Sequence, residues 1–314
     1  MAKTKRIAKR TQETPKGVSL LTLAAALGAV VALAWGIAAA VASFSAPASH
    51  RPFLLRAVPP LEHPFFAPSP APIASSYAKG CAPKTSGRAV RDRLLSAAEA
   101  RQLRSLAERA LALTGGGAGG PSVFDLSSGA VSKGRAFVDI WKLNPTYSHA
   151  DELLLHDVLH RIREAIEQDF ALEGRHETQS PLRLVPPLFF ARINASQPAL
   201  TEHDQYWHEH VDTKVYGAFS YTSLLYLNEF ETDFTGGRFR FADDSIVEPR
   251  EGRLLTFSSG AENKHRVERV ESGIRFVLTI AHSLGSEEGI PLVGRTEKED
   301  DLAGNFHHRF LRGG

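Results

Sequence analysis

The sequence predicts an α+β chain in which two amphipathic helices lead into a β-sandwich or barrel, with one apolar helix near the N-terminus. Three observations carry this. Apolar residues recur at helical spacing between Arg88 and Leu113, and again between Asp151 and Phe170. After about Leu182 the pattern changes to short β-rich runs separated by Gly, Pro, Asn and Asp. Val18 to Phe44 is almost continuously apolar.

The apolar run comes first along the chain. At about 1.5 Å per residue a helix over residues 18–44 covers roughly 40 Å, more than the roughly 30 Å hydrocarbon layer of a bilayer. Upstream stand Lys3, Lys5, Arg6, Lys9, Arg10 and Lys16 against one acid, Glu13, whereas residues 45–56 carry only Arg51 and Arg56. Positive charge stays cytosolic, so residues 1–17 read as a cytosolic tail and 18–44 as a transmembrane signal anchor. The chain is then a type II membrane protein of the secretory pathway, with everything downstream lumenal or extracellular. Small residues from Ala40 to Ala46 also suit a cleaved signal peptide. A buried core helix does not fit, because the run has no polar face.

Residues 45–87, rich in Pro, Ala and Ser, read as a stalk. The first amphipathic helix uses Val90, Leu94, Leu95, Ala98, Leu103, Leu106, Ala110 and Leu113, and stops at Gly115-Gly116-Gly117. Phe137, Ile140 and Trp141 suggest a strand. Leu154, Leu155, Val158, Leu159, Ile162 and Ile166 then share one face of the second helix. Strands follow at Leu188–Asn194, Phe219–Leu227, Arg238–Ala242, Arg253–Phe257 and Ile274–His282, with turns at Gly236-Gly237 and Glu251-Gly252. A folded domain thus spans 88–290, with its β core at about 182–285, and 291–314 is a charged, loosely ordered tail.

Composition narrows the chemistry. With 37 basic and 35 acidic residues, no global field favours nucleic acid. The single cysteine, Cys81, excludes an intrachain disulfide and a Cys-rich zinc module, so a metal site must use His, Asp or Glu. In an oxidising lumen Cys81 could join two chains as a dimer or stay a free or capped thiol. Asn194-Ala195-Ser196 is an N-glycosylation acceptor pattern that a lumenal position would expose.

His210 and Asp212 are one residue apart and share a face if extended, so an imidazole and a carboxylate can converge on one metal. His265 can be returned opposite them by the next strand. Two His and one carboxylate on one face leave positions open, the arrangement of non-haem Fe(II) oxygen chemistry, though zinc accepts the same ligands. Arg275 lies inside the apolar strand Gly273 to Ile280, where its guanidinium must either face solvent or meet an anion such as a carboxylate. Two other motifs read as ordinary surface. His208 and Glu209 suit a wet strand end, and His156 and His160 lie four apart on a helix with Asp157 where a zinc-protease motif needs Glu.

The stretch from about Leu188 to His282 resembles the prolyl 4-hydroxylase-like branch of the Fe(II)/2-oxoglutarate oxygenases. The resemblance rests on Tyr206 to Asp212, Tyr221 to Asn228, Phe234 to Phe239 and Pro249 to Phe257, followed by His265 and Arg275. It implies a double-stranded β-helix (jelly-roll) core behind packing helices. It also implies Fe2+ on His210, Asp212 and His265, 2-oxoglutarate held at its far end by Arg275, O2 as co-substrate, and ascorbate keeping the iron reduced. The implied reaction hydroxylates a substrate C–H bond, with protein side chains suggested by the family, and releases succinate and CO2; the lumenal compartment suggests a secretory or membrane polypeptide. Two positions depart from the pattern: many relatives carry Lys in place of Arg275, and Trp207 stands where a tyrosine is common, with Tyr206 shifted by one. A silent lumenal binding or scaffold module on the same fold is the competing reading.

Overall fold

The computed structural model describes residues 54–55, 60–73, 77, 81–117, 119–140, 147–172, 182–200, 204–217 and 219–284. The chain divides into two units, Met1–His50 and Arg51–Gly314, and the described residues all belong to the second. The expected anchor at 18–44 and both tails lie outside the described residues. Among the described residues no helix is long and apolar enough to cross a membrane.

Strands β1 (Leu54–Leu55), β2 (Phe65–Pro68) and β3 (Gly87–Arg91) precede helix α1 (Ala97–Thr114). Four short strands follow: β4 (Gly116–Gly117), β5 (Pro121–Asp125), β6 (Ala130–Gly134) and β7 (Ala136–Asp139). Helix α2 (His149–Asp169) leads to the long strand β8 (Leu182–Asn194) and the short helix α3 (Asp212–Tyr216). The remainder is β9 (Tyr221–Tyr226), β10 (Phe234–Gly236), β11 (Phe239–Phe241), β12 (Ile246–Val247), β13 (Leu254–Ser258), β14 (His265–Val267) and β15 (Val270–Leu284).

Two sheets result. The larger runs β2-β3-β13-β9-β15-β8-β5-β6-β4, with β10 on β15 and β7 on β6, and the smaller runs β1-β12-β11-β14. From β9 onward the chain passes repeatedly from one sheet to the other, so their inner faces close on a shared core. That core holds Leu224, Tyr226, Leu255, Phe257 and Val277 from the large sheet against Phe239, Phe241 and Val247 from the small one. The opposite face of the large sheet, with Leu225, Leu254, Phe276, Leu278 and Ile280, packs on Leu103, Leu106, Leu159, Ile162 and Ile166 of the helices. Alternate residues of β9 and β15 therefore serve different cores, as the two-residue period of a strand requires. Each such side chain, fully buried, contributes about 1.5–3 kcal/mol of hydrophobic free energy.

Both helices have the predicted faces and clear starts. Ser96 and Ser148 are N-caps that close reciprocal capping boxes with Glu99 and Asp151, and Gly115 ends α1 with φ +80°. Ion pairs join the two helices: Arg109 to Asp151 and Arg161 to Glu99, each at 2.7 Å.

Two expectations need correction. The helix does not begin at Arg88, because residues 87–91 form β3, antiparallel to β13 with Val90 opposite Leu255. Val90 fits the helical spacing by coincidence, and the Ser96 cap marks the true start. The stretch 45–87 is not a stalk throughout, since Phe65–Pro68 forms a strand on β3. Its place at the sheet edge explains why proline is tolerated there. Cys81, expected in that stalk, is buried, and its Sγ lies 3.3 Å from Ser283 Oγ. A bridge between two chains at Cys81 would require its segment to leave this packing.

Candidate metal centre

His265 is the first residue of β14, and His210 pairs with it across an isolated bridge, His210 N to His265 O at 2.8 Å and His265 N to His210 O at 3.0 Å. Backbone pairing thus sets the two imidazoles side by side, ring centroids 4.5 Å apart. The expectation that a strand carries both His210 and Asp212 holds only in part. Val211 is extended (φ −124°, ψ 123°), but Asp212 opens helix α3. Its carboxylate still faces the histidines: Asp212 Oδ1 is 3.5 Å from Nε2 of His210 and 3.5 Å from Nε2 of His265. One ligand atom from each of the three residues lies within 4.8 Å of the others.

The surroundings orient each donor. His210 Nδ1 lies 3.0 Å from His208 O and His265 Nδ1 lies 2.8 Å from Asn263 O. A carbonyl oxygen can only accept, so each Nδ1 carries a proton and each Nε2 is turned toward Asp212. Thr222 Oγ1 donates to Asp212 Oδ2 at 2.7 Å, leaving Oδ1 toward the histidines. Phe239 stacks on the His265 ring at 4.7 Å, 28° from parallel. Burial would raise the Asp212 pKa, but the two imidazoles and the Thr222 hydroxyl outweigh it and hold the carboxyl well below the usual range. Burial likewise opposes charging His210, yet Asp212 and the His208 carbonyl raise its pKa overall.

Arg275, on the β15 face that points between the sheets, is 1% exposed. Its Nε donates to Gly237 O at 3.0 Å, while Nη2, buried, has no hydrogen-bond partner among the described residues. Burial lowers its pKa, and the Tyr226 and Tyr206 hydroxyls offset this only in part. Tyr226 lies with its ring 5.3 Å from the guanidinium carbon, and burial pushes its phenol up to about 12. A buried cation with an unsatisfied donor is a costly arrangement that an anionic ligand would relieve.

The human protein named 2-oxoglutarate and iron-dependent oxygenase domain-containing protein 3 is 44% identical over 220 residues, 68% of this chain and 67% of that protein. A family model described as the 2OG-Fe(II) oxygenase superfamily matches residues 196–281, which contain all four site residues. The chain belongs to the 2OG-Fe(II) oxygenase superfamily. It is a 2-oxoglutarate-dependent dioxygenase, with Fe2+, 2-oxoglutarate and O2 as the cofactors and co-substrates that membership entails. This oxygenase is also 42% identical over 73 residues, 21% of its own chain and 10% of the other, to human Prolyl 3-hydroxylase 3. Among solved structures it aligns with a Pseudomonas putida prolyl-4-hydroxylase at TM-score 0.40 and 21% identity, over 63% of this chain and 92% of that one. The donor set fits ferrous iron: two imidazole nitrogens and one carboxylate oxygen, brought within 4.8 Å of one another.

Several groups of the oxygenase's site carry no motif of their own. Thr222 and Tyr226 lie on alternate positions of β9 with Leu224, so a period-2 reading of Tyr221 to Tyr226 marks them as sharing a face. Gly237 and Asn263 left no such signal, because their contacts come from loops. Of the other motifs, His208 lends its backbone carbonyl to His210 Nδ1, and the rest lie outside the site. Glu209 pairs with Lys264 at 2.8 Å and Arg266 at 2.7 Å, His160 Nδ1 is 3.5 Å from Glu164, and His156 is exposed.

Proposed function

We propose that His210, Asp212 and His265 hold the iron, that Arg275 and Tyr226 receive the distal carboxylate of 2-oxoglutarate, and that the enzyme hydroxylates a polypeptide side chain. The observation that carries the first role is the convergence of two Nε2 atoms and Asp212 Oδ1 with both Nδ1 protons committed to backbone carbonyls. The second rests on the unpartnered Nη2 of a buried guanidinium beside a buried phenol. We read the alternation of β9 to β15 between two sheets as a double-stranded β-helix, with β14 in one sheet and β15 in the other.

Bound ferrous iron supplies the oxidative chemistry, in which O2 converts 2-oxoglutarate to succinate and CO2 while a substrate C–H becomes C–OH. The protein's own contribution is orientation and charge. Asp212 stays ionised because Thr222 and the imidazoles stabilise its anion. Arg275 presents a fork matched to a carboxylate, in a setting where water cannot compete. A polypeptide substrate is supported by helix α3, which begins at Asp212 and leaves Val215 and Tyr216 exposed next to the site. The prolyl class is supported by the relative named Prolyl 3-hydroxylase 3.

The same reading includes ascorbate as reductant and a type II anchor at 18–44, with the oxygenase domain lumenal and a secretory or membrane polypeptide as partner. Glycosylation at Asn194 belongs with it. The Asn194 Oδ1 accepts from Ser196 N at 3.0 Å and Ser196 Oγ at 2.9 Å, a turn that brings the acceptor pattern to a strand end. The test is turnover of carboxyl-labelled 2-oxoglutarate by the full-length protein with Fe2+ and ascorbate. Labelled CO2 with an equal yield of succinate is expected, and its loss in His210→Ala and Asp212→Ala. Undiminished release in both variants would remove the assignment.

A further inference from the structure

The loop carrying His265 is tied to a segment far upstream. His265 Nδ1 is fixed by the carbonyl of Asn263, and the side chain of that asparagine is itself held on all sides. Its amide nitrogen donates to Ser258 O at 2.8 Å and Ser258 Oγ at 2.9 Å, and its amide oxygen accepts from Arg88 Nε at 2.7 Å and Ser69 Oγ at 2.9 Å. Two donors and two acceptors saturate the amide, so Asn263 has one orientation available. One residue before it, Glu262 Oε1 accepts the Tyr77 hydroxyl at 2.7 Å, and the same phenol oxygen accepts from Gly260 N at 2.6 Å. A Cβ at position 260 would stand 2.7 Å from the Tyr77 ring, so the two segments are in close contact.

Ser69 and Tyr77 come from the Pro-, Ala- and Ser-rich stretch whose composition suggests a passive tether, and Ser69 is 194 residues from Asn263. We propose that they are positioning residues of the metal centre: a latch that fixes Gly260 to Asn263, and through the Asn263 carbonyl the rotation of the His265 imidazole. This rests on the reading of His265 as an iron ligand. An imidazole whose Nδ1 proton has a fixed acceptor presents Nε2 in one direction, and removing such a partner typically weakens metal affinity roughly 10–100-fold. The metal-binding unit therefore includes Ser69 and Tyr77.

The experiment is a titration of the full-length protein with Co2+, followed by visible absorption. The variants are Ser69→Ala/Tyr77→Phe, Tyr77→Phe alone, Arg91→Ala and His265→Ala. Arg91 pairs with Asp169 at 2.7 Å on the same strand as Arg88, away from the loop, and controls for general loss of stability. The latch predicts Co2+ affinity roughly tenfold weaker in the double variant, an altered cobalt absorption band, and wild-type binding in Arg91→Ala. Should the double variant not fold, Tyr77→Phe decides, with a smaller loss in the same direction. Wild-type affinity and spectrum in the latch variants, or equal weakening in Arg91→Ala, would overturn the latch while leaving the metal site standing. Wild-type Co2+ binding by His265→Ala would instead overturn the ligand reading beneath it.

Discussion

Gly237 and Arg275 are built around each other. The glycine carbonyl accepts from Arg275 Nε at 3.0 Å, and at φ +66° a Cβ on residue 237 would stand 3.0 Å from Arg275 Cδ and 3.0 Å from Val270 Cγ2. The turn can lie over the arginine stem only because position 237 has no side chain. Gly237→Ala should therefore weaken 2-oxoglutarate binding about tenfold, by displacing the guanidinium by a few tenths of an ångström, with Co2+ affinity unchanged. Arg275→Ala removes the charge-assisted bonds themselves. At about 1.5–3 kcal/mol each this is on the order of a hundredfold or more in Kd. Arg275→Lys should fall between, keeping the charge without the fork. Anaerobic calorimetry of 2-oxoglutarate binding measures all three, and wild-type Kd in Arg275→Ala would refute the anchor.

A second buried arginine has a structural duty. Arg253 donates from Nε to Asp92 Oδ1 at 2.6 Å with both side chains fully buried, and from Nη1 to Glu248 O at 2.8 Å. Asp92 also accepts from Leu61 N at 2.7 Å. Burial raises the Asp92 pKa, but these bonds outweigh it and lower the net value. Asp92→Ala leaves the guanidinium uncompensated and should cost about 3–5 kcal/mol. Denaturant unfolding measures this; a change under 1 kcal/mol would show that water replaces the carboxylate.

How much of this was legible depends on the range of each contact. The helix faces and five of the strands follow from period 3.6 and period 2, and His210, Asp212, His265 and Arg275 from residue type and spacing. What composition hid was imposed by partners distant in sequence. Phe65–Pro68 becomes a strand because β3 offers an edge, and Val90 leaves a helical pattern for a pairing with Leu255. Pro186 and Pro187, lacking N–H groups, leave the ladder at a register shift, so β8 starts at Leu182 and not at Leu188. Asp212 opens a helix that its spacing from His210 gave no reason to expect.

His282 makes the fold acid-sensitive. It is fully buried on β15, opposite Tyr221 of β9 and Leu184 of β8, and neither ring nitrogen has a hydrogen-bond partner among the described residues. Burial, aided by the Arg163 charge on α2, depresses its pKa from 6.5 to about 3. The folded state thus binds fewer protons than the unfolded state between those values. Stability from this group is constant above about pH 7 and falls as pH drops below 6.5, by about 1.4 kcal/mol per unit. From pH 7 to 5 the wild type should lose about 2 kcal/mol that His282→Leu retains. Urea midpoints at the two pH values give the difference, and parallel losses would show that His282 does not carry the effect.

Thr222 sets which oxygen of Asp212 is free. Its hydroxyl donates to Oδ2 at 2.7 Å and is itself 2.9 Å from Ser259 Oγ, so the carboxylate cannot rotate without breaking a buried pair. Thr222→Val keeps the shape and removes the donor, leaving Oδ2 unsatisfied and Oδ1 loosely aimed. A metal at a hundred times its Kd stabilises the folded state by about 2.7 kcal/mol, and a tenfold weaker site at the same concentration by about 1.4 kcal/mol. The Co2+-induced rise in Tm should therefore fall to about half in Thr222→Val, and vanish in Asp212→Ala. Differential scanning fluorimetry with and without Co2+ measures this. A full rise in Thr222→Val would mean that the histidine pair alone orients Asp212.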